Sequence, residues 1–138
     1  MIRGLVDGGL AWVDASVRLP ALSEQPGDIS FLIDTGATVT VLMPADLRRL
    51  GIEPEGLFPD IRAVRVPGFG GDIKMILTGG MLRFSDAADR AAFSMPIGIV
   101  EPSTASYELP SVLGMGFLRH FRLTISVAED RVELERIQ

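Results

Sequence analysis

Toward the end of the chain Phe121, Leu123, Ile125 and Val127 alternate with Arg122, Thr124 and Ser126. A period of two places each set on one face of a pleated ribbon, so this segment predicts a half-buried strand. Ala128-Glu129-Asp130-Arg131 is a polar turn, and Val132-Glu133-Leu134-Glu135 returns with the same alternation. Near the start, Val6-Asp7-Gly8-Gly9 lies between apolar stretches, and Asp-Gly tolerates the positive φ angles that a tight hairpin needs. A second extended run, Trp12 to Leu19, ends in the polar loop Ser23-Glu24-Gln25-Pro26-Gly27-Asp28. The apolar strand Ile29-Ser30-Phe31-Leu32-Ile33 follows and delivers Asp34 at its end.

Val39 to Met43 continues the apolar pattern, and Pro44-Ala45-Asp46-Leu47-Arg48-Arg49-Leu50-Gly51 then changes it. Proline in a first turn and glycine just past the end predict a helix of about two turns. Between Ile61 and Phe84 two extended segments, Ala63-Val64-Arg65-Val66 and Ile73-Lys74-Met75-Ile76-Leu77, flank the tip Pro67-Gly68-Phe69-Gly70-Gly71. That pattern predicts a long, mobile hairpin. With 138 residues and no repeat or linker, residues 1–138 read as a single domain with no length for a second catalytic lobe.

Composition narrows the chemistry. The chain has no cysteine, which removes disulfides, thiolate nucleophiles and sulfur-ligated zinc. Its single histidine, His120, lies in the mixed stretch Arg119-His120-Phe121-Arg122, and no Gly-x-Ser-x-Gly turn accompanies it, so it reads as a structural or surface residue. Carboxylates are what remain. The net charge is −5, the only lysine is Lys74 and the arginines are scattered apart from the pair Arg48-Arg49, so nucleic acid has no basic stripe to bind. No apolar stretch of about 18 residues lacks a charge, so no membrane span is expected. Met1 to Leu19 is broken by Arg3, Asp7 and Asp14 and lacks the apolar run of a signal peptide, which makes cytoplasmic residence the expectation. A mean hydropathy of +0.32 without a membrane segment predicts apolar surface to be covered by another subunit.

Phe31-Leu32-Ile33-Asp34-Thr35-Gly36-Ala37-Thr38 resembles the active-site signature of the retropepsin group of aspartic proteases. Three further segments follow that family's order: the short helix Pro44 to Gly51, the glycine-rich tip Pro67 to Gly71, and Val112-Leu113-Gly114-Met115-Gly116-Phe117-Leu118. The resemblance spans almost the whole chain. It implies an all-β, retropepsin-like acid protease fold: a partly closed β-barrel with a flap hairpin and two short helices. It also implies an aspartic endopeptidase that needs no cofactor or metal, with Asp34 as the catalytic residue and Thr35, Gly36, Leu113 and Gly114 as its support. Peptide or protein substrate would meet Ala37, Thr38, Gly68, Phe69, Gly70 and Gly71. Two positions depart from the retroviral pattern, Thr38 in place of an Asp and Met115-Gly116 in place of Arg-Asn.

Such chemistry suits two carboxylates. Hydrolysing a peptide without a metal takes a base for the water and an acid for the carbonyl oxygen. Two carboxylates about 3 Å apart cannot both ionise cheaply, so they share one proton and supply both roles. This chain offers one Asp-Thr-Gly, since Asp7-Gly8-Gly9 lacks the hydroxyl residue and reads as a turn. A two-fold axis between two copies of Asp34 would supply the second carboxylate, which makes a homodimer part of the expected mechanism. Two other readings stand beside it: the strand-Asp-x-Gly turn of actin-type ATPases, which need two large lobes, and a retropepsin-like binding or dimerisation module without proteolysis.

Overall fold

A computed structural model describes residues 1–58, 63–68, 71–85 and 92–137 of the chain. Its first two strands, β1 (Ile2–Asp7) and β2 (Leu10–Arg18), form the expected hairpin. Gly8 and Gly9 sit at φ +59° and +76°, the left-handed pair that a two-residue turn between twisted strands demands. Strand β3 (Gly27–Ile33) then pairs with β2 from Trp12↔Leu32 to Val17↔Gly27. Period-two alternation governs both strands: Val13, Ala15, Val17, Ile29 and Phe31 are buried, while Asp14, Asp28 and Ser30 are not. Each fully buried Ile or Phe of this kind contributes about 1.5–3 kcal/mol.

After β4 (Thr40–Leu42) comes helix α1 (Pro44–Arg49), opened by Pro44 and closed by Gly51 at φ +75°. A 3₁₀ turn at Pro54–Leu57 follows. Strands β5 (Val64–Gly68) and β6 (Gly71–Arg83) form the second expected hairpin, in register to Gly68↔Gly71; Phe69 and Gly70 lie outside the described residues. Strand β7 (Ala92–Val100), helix α2 (Thr104–Tyr107), strand β8 (Val112–Leu113), helix α3 (Met115–Leu118), and the terminal hairpin β9 (Phe121–Ser126) and β10 (Arg131–Arg136) complete the described elements. The two anticipated helices are α1 and α3. Helix α2 joins them, capped by Ser103, whose hydroxyl accepts from the Ser106 amide while the Ser106 hydroxyl accepts from the Ser103 amide.

The strands hydrogen-bond in the order β5-β6-β7-β4-β8-β3-β2-β1-β10-β9, and an additional pairing of β6 with β2 closes six of them into a ring. Strand β2 can serve three neighbours because its length is divided: Leu10–Trp12 face β1, Trp12–Val17 face β3, and Ser16–Arg18 face β6. Strand β1 is divided too, with Leu5–Asp7 on β2 and Ile2–Gly4 on β10. Gly4 is required at that crossing, since a Cβ there would lie 2.0 Å from the Trp12 carbonyl oxygen. The main core fills the ring around Phe31, Leu82, Ile97, Ile99 and Leu113, and Phe84, Phe93, Phe117 and Phe121 extend it toward the terminal hairpin. A second, smaller cluster of Val41, Met43, Met75 and Val100, with Ile73 and Val112 against it, joins the stem of the β5–β6 hairpin to β4 and β8.

Candidate active site

Asp34 stands at the mouth of β3, where the chain stops pairing as a strand. Its position is fixed from one side by β8, a two-residue strand parallel to β3 with Leu32 opposite Val112 and Ile33 opposite Leu113. The ladder runs on past both ends: the Leu32 amide donates to the Ser111 carbonyl at 2.9 Å, and the Asp34 amide donates to the Leu113 carbonyl at 3.1 Å. Leu113 is fully buried, so the oxygen that receives the Asp34 amide hangs from a residue anchored in the core.

A tight turn follows. The Ala37 amide donates to the Asp34 carbonyl at 3.2 Å, and the Gly36 amide donates to Asp34 Oδ1 at 2.9 Å. An amide directed at a carboxylate oxygen fixes the rotamer of the side chain. Asp34 and Ala37 are half-buried; Thr35, Gly36 and Thr38 are exposed.

The Gly114 segment locks this turn from behind. Met115 and Gly116 amides donate to the Ala37 and Thr38 carbonyls at 2.7 and 2.8 Å, and the Gly114 amide donates to Thr40 Oγ1 at 3.1 Å. Gly114 has no room for a side chain, since a Cβ would fall 2.6 Å from the Val39 oxygen and 2.9 Å from the Ala37 oxygen. Thus Thr38 and Met115-Gly116, the positions that depart from the retroviral pattern, meet through main-chain bonds that need no particular side chain.

The structure therefore brings Asp34, Thr35, Gly36, Ala37, Thr38, Leu113 and Gly114 into one assembly. Gly68 and Gly71 face each other at the end of the β5–β6 ladder. Three residues that the sequence reading passed over also belong to the wall behind Asp34. Thr40 and Ser111 are buried hydroxyls, and Ser111 Oγ accepts from the Met43 amide at 2.9 Å while donating to Asp46 Oδ2 at 2.7 Å. The available signal was a lone hydroxyl inside an apolar run, in Val39-Thr40-Val41-Leu42 and Ser111-Val112-Leu113, because a buried hydroxyl must find partners.

Two surface concavities of about 660 and 740 Å³ share Asp14, Ser30, Phe84 and Ser85 and include no residue of the 34–38 turn. Among the described residues no three His, Asp or Glu side chains gather as a metal cluster, and no helix is long and apolar enough to cross a membrane.

The fold is similar to that of a retropepsin-like aspartic protease from Rickettsia conorii, with a TM-score of 0.59 at 18% identity over 97% of this chain and 88% of that one. The EIAV protease complexed with the inhibitor HBY-793 is also similar, at 19% identity and a TM-score of 0.49 over 78% of this chain and 86% of that one. No curated protein matches the sequence. Residues 21–117, from the loop after β2 through the Gly114 segment, match the family model for aspartyl proteases, and the chain belongs to that family.

Proposed function

We propose that this chain is one half of an aspartic endopeptidase, and that two copies of Asp34 meet across a two-fold axis to activate water against an extended peptide. The observation that carries the reading is a single Asp-Thr-Gly turn per chain, rigidly backed by β8 yet half-open to solvent. With Oδ1 held by the Gly36 amide, Oδ2 is left for the second carboxylate. One carboxylate accepts the water proton while its protonated neighbour donates to the scissile carbonyl oxygen; the roles exchange as the amine leaves.

The surface supports a partner of the same kind. Strand β9 is a sheet edge, with Ile125 exposed on it, Val127 exposed just past its end and Ile137 exposed after β10. An open edge with apolar residues favours a second chain. Thr35 lies exposed beside Asp34, where it can hydrogen-bond across the axis. The β5–β6 hairpin acts as the flap, with Gly68 and Gly71 at its described end, and offers main-chain groups to the peptide while excluding water. Ala37 and Thr38 line the floor on which that peptide lies.

Mixing wild-type and Asp34→Asn chains tests the shared site. With free, verified subunit exchange, activity at fixed total protein is expected to fall as the square of the wild-type fraction. A linear decline would show that each chain works alone. Undiminished activity of pure Asp34→Asn would remove Asp34 from the chemistry.

A further inference from the structure

The short strand β8 raises a question of strength. It carries the carbonyl that receives the Asp34 amide, yet it pairs with β4 at only Val41↔Val112 and with β3 at two positions. So short a ladder is weakly specified by its own backbone. Two buried hydroxyls extend it. At one end Thr40 Oγ1, from β4, accepts from the Gly114 amide; at the other Ser111 Oγ accepts from the Met43 amide, which belongs to the β4–α1 junction.

Ser111 is the more constrained of the two. Its hydroxyl proton goes to Asp46 Oδ2 in the first turn of α1, and its carbonyl receives the Leu32 amide from β3. Asp46 in turn contacts Arg49 through Oδ1 at 3.3 Å. A hydroxyl facing a carboxylate forms a charge-assisted bond, shorter and about twice as strong as a neutral one. One residue thus ties α1 and the end of β4 through its hydroxyl and β3 through its carbonyl, two residues before Leu113.

We propose that Asp46 and Ser111 are positioning residues for the catalytic carboxylate: the Asp46–Ser111 bond fixes the height of β8, and β8 fixes Asp34 through the Leu113 carbonyl. The proposal rests on the dyad reading of Asp34. Displacements of about 1 Å cost about 100-fold in rate when two groups must share a reacting atom, so a loosened β8 acts first on kcat. Because the separation of paired carboxylates sets how their protons are shared, it also moves the pH limbs of kcat.

The test compares Ser111→Ala, Asp46→Ala and Asp46→Asn with wild type, using an oligopeptide library for cleavage and amide hydrogen exchange for the wall. Asp46→Ala is the milder change, since Asp46 is partly exposed and its loss leaves Ser111 able to hold the Met43 amide. Asp46→Ala and Ser111→Ala are expected to lower kcat per folded dimer at least about 10-fold with KM changed less than about 3-fold, and to shift the pH limbs of kcat. Asp46→Asn keeps a hydrogen-bonding group toward Ser111 and is expected to recover most of kcat. Asp34 amide exchange should accelerate in both alanine variants beyond any change in the global opening rate. A lowered Tm with unchanged kcat and pH profile would reduce the pair to ordinary structure and overturn the proposal. If wild type cleaves nothing, the protease reading fails by itself; the exchange of the Asp34 amide still decides whether Asp46 and Ser111 hold it.

Discussion

The wall behind Asp34 and the β5–β6 hairpin are built on opposite terms. In the wall, nearly every polar group has a partner within the chain: the Asp34, Ala37, Gly114, Met115 and Gly116 amides all donate, and Leu113, Thr40 and Ser111 are buried. The hairpin is a two-strand arm whose stem alone rests on the small cluster around Met75, while Val64 remains exposed. On the proposed function, rigid placement suits a carboxylate that meets a second one, and a thinly packed arm suits a flap. Close packing and exposure are thus separated by strand: β8 belongs to the core, β5 to its margin.

Substitutions can break that contrast. The largest effect is expected from Gly114→Ala, whose new Cβ would strike the Val39 and Ala37 oxygens and force the locking segment off the turn. Backbone is the obstacle, so little can yield; a loss of about 3 kcal/mol in urea unfolding and a collapse of peptide cleavage are expected. Next comes Met75→Ala in the hairpin stem. It should cost about 2 kcal/mol, the low end for a buried Met, and raise KM more than it lowers stability-corrected kcat, as measured by steady-state kinetics. Equal losses in both parameters would mean that the arm is part of the wall.

A smaller and pH-dependent effect is expected at the clamp between α1 and α2. Tyr107 donates to Glu55 Oε1 at 2.5 Å beneath the Arg48 guanidinium, which lies 4.9 Å from the ring centre. This bond from Tyr107 is the main reason that the Glu55 carboxyl titrates below its usual 4.5, and the same bond is the main reason that the Tyr107 phenol titrates above its usual 10. Depression of Glu55 stabilises the fold above pH 4.5 and is lost as the pH falls through its lower folded value; elevation of Tyr107 stabilises below pH 10 and is lost as the pH rises through its higher one. Tyr107→Phe should therefore lower Tm slightly at pH 7, with the deficit narrowing in acid, by calorimetry across pH. Smallest of all is Gly79→Ala on β6, where an added Cβ meets nothing within 4 Å. Unchanged Tm and kinetics there would confirm that the open face of β6, where it pairs with β7, tolerates what Gly114 does not.

Much of this was legible in local sequence. Asp7-Gly8-Gly9 marked its hairpin because only certain residues accept two left-handed positions, and Pro44 with Gly51 marked α1 because each fits one end of a helix. Other parts had no local signal. Strand β7 is interrupted by Pro96 and Gly98, yet it is held between β6 and β4, where Gly98 accommodates Met75 and Val41. Helix α2 is capped by Ser103 and Ser106 rather than by the usual acidic partner, which hides its start. The contact of β8 with β3, and that of β2 with β6, join positions far apart in the chain, so periodicity cannot announce them. At the site, Asp34, Gly36 and Gly114 stood out as residues of a motif; Ser111 and Asp46 did not, because their role depends on which strands become neighbours.

The same long-range pairing has a consequence for the order in which the molecule comes into being. Ser16 must find Arg83, Leu32 must find Val112, and Ile2 must find Leu134 before the ring and its extension exist. Contacts so distant along a chain make folding slow, because loop closure precedes the reward of pairing. Synthesis runs from the N-terminus, and the acceptor of the Asp34 amide is the carbonyl of Leu113. A nascent chain that has passed Asp34 but not Leu113 thus has a turn without its back wall. The Asp-Thr-Gly segment is thus made well before β8 can organise it, and the β9–β10 hairpin, with its free edge, is made later still.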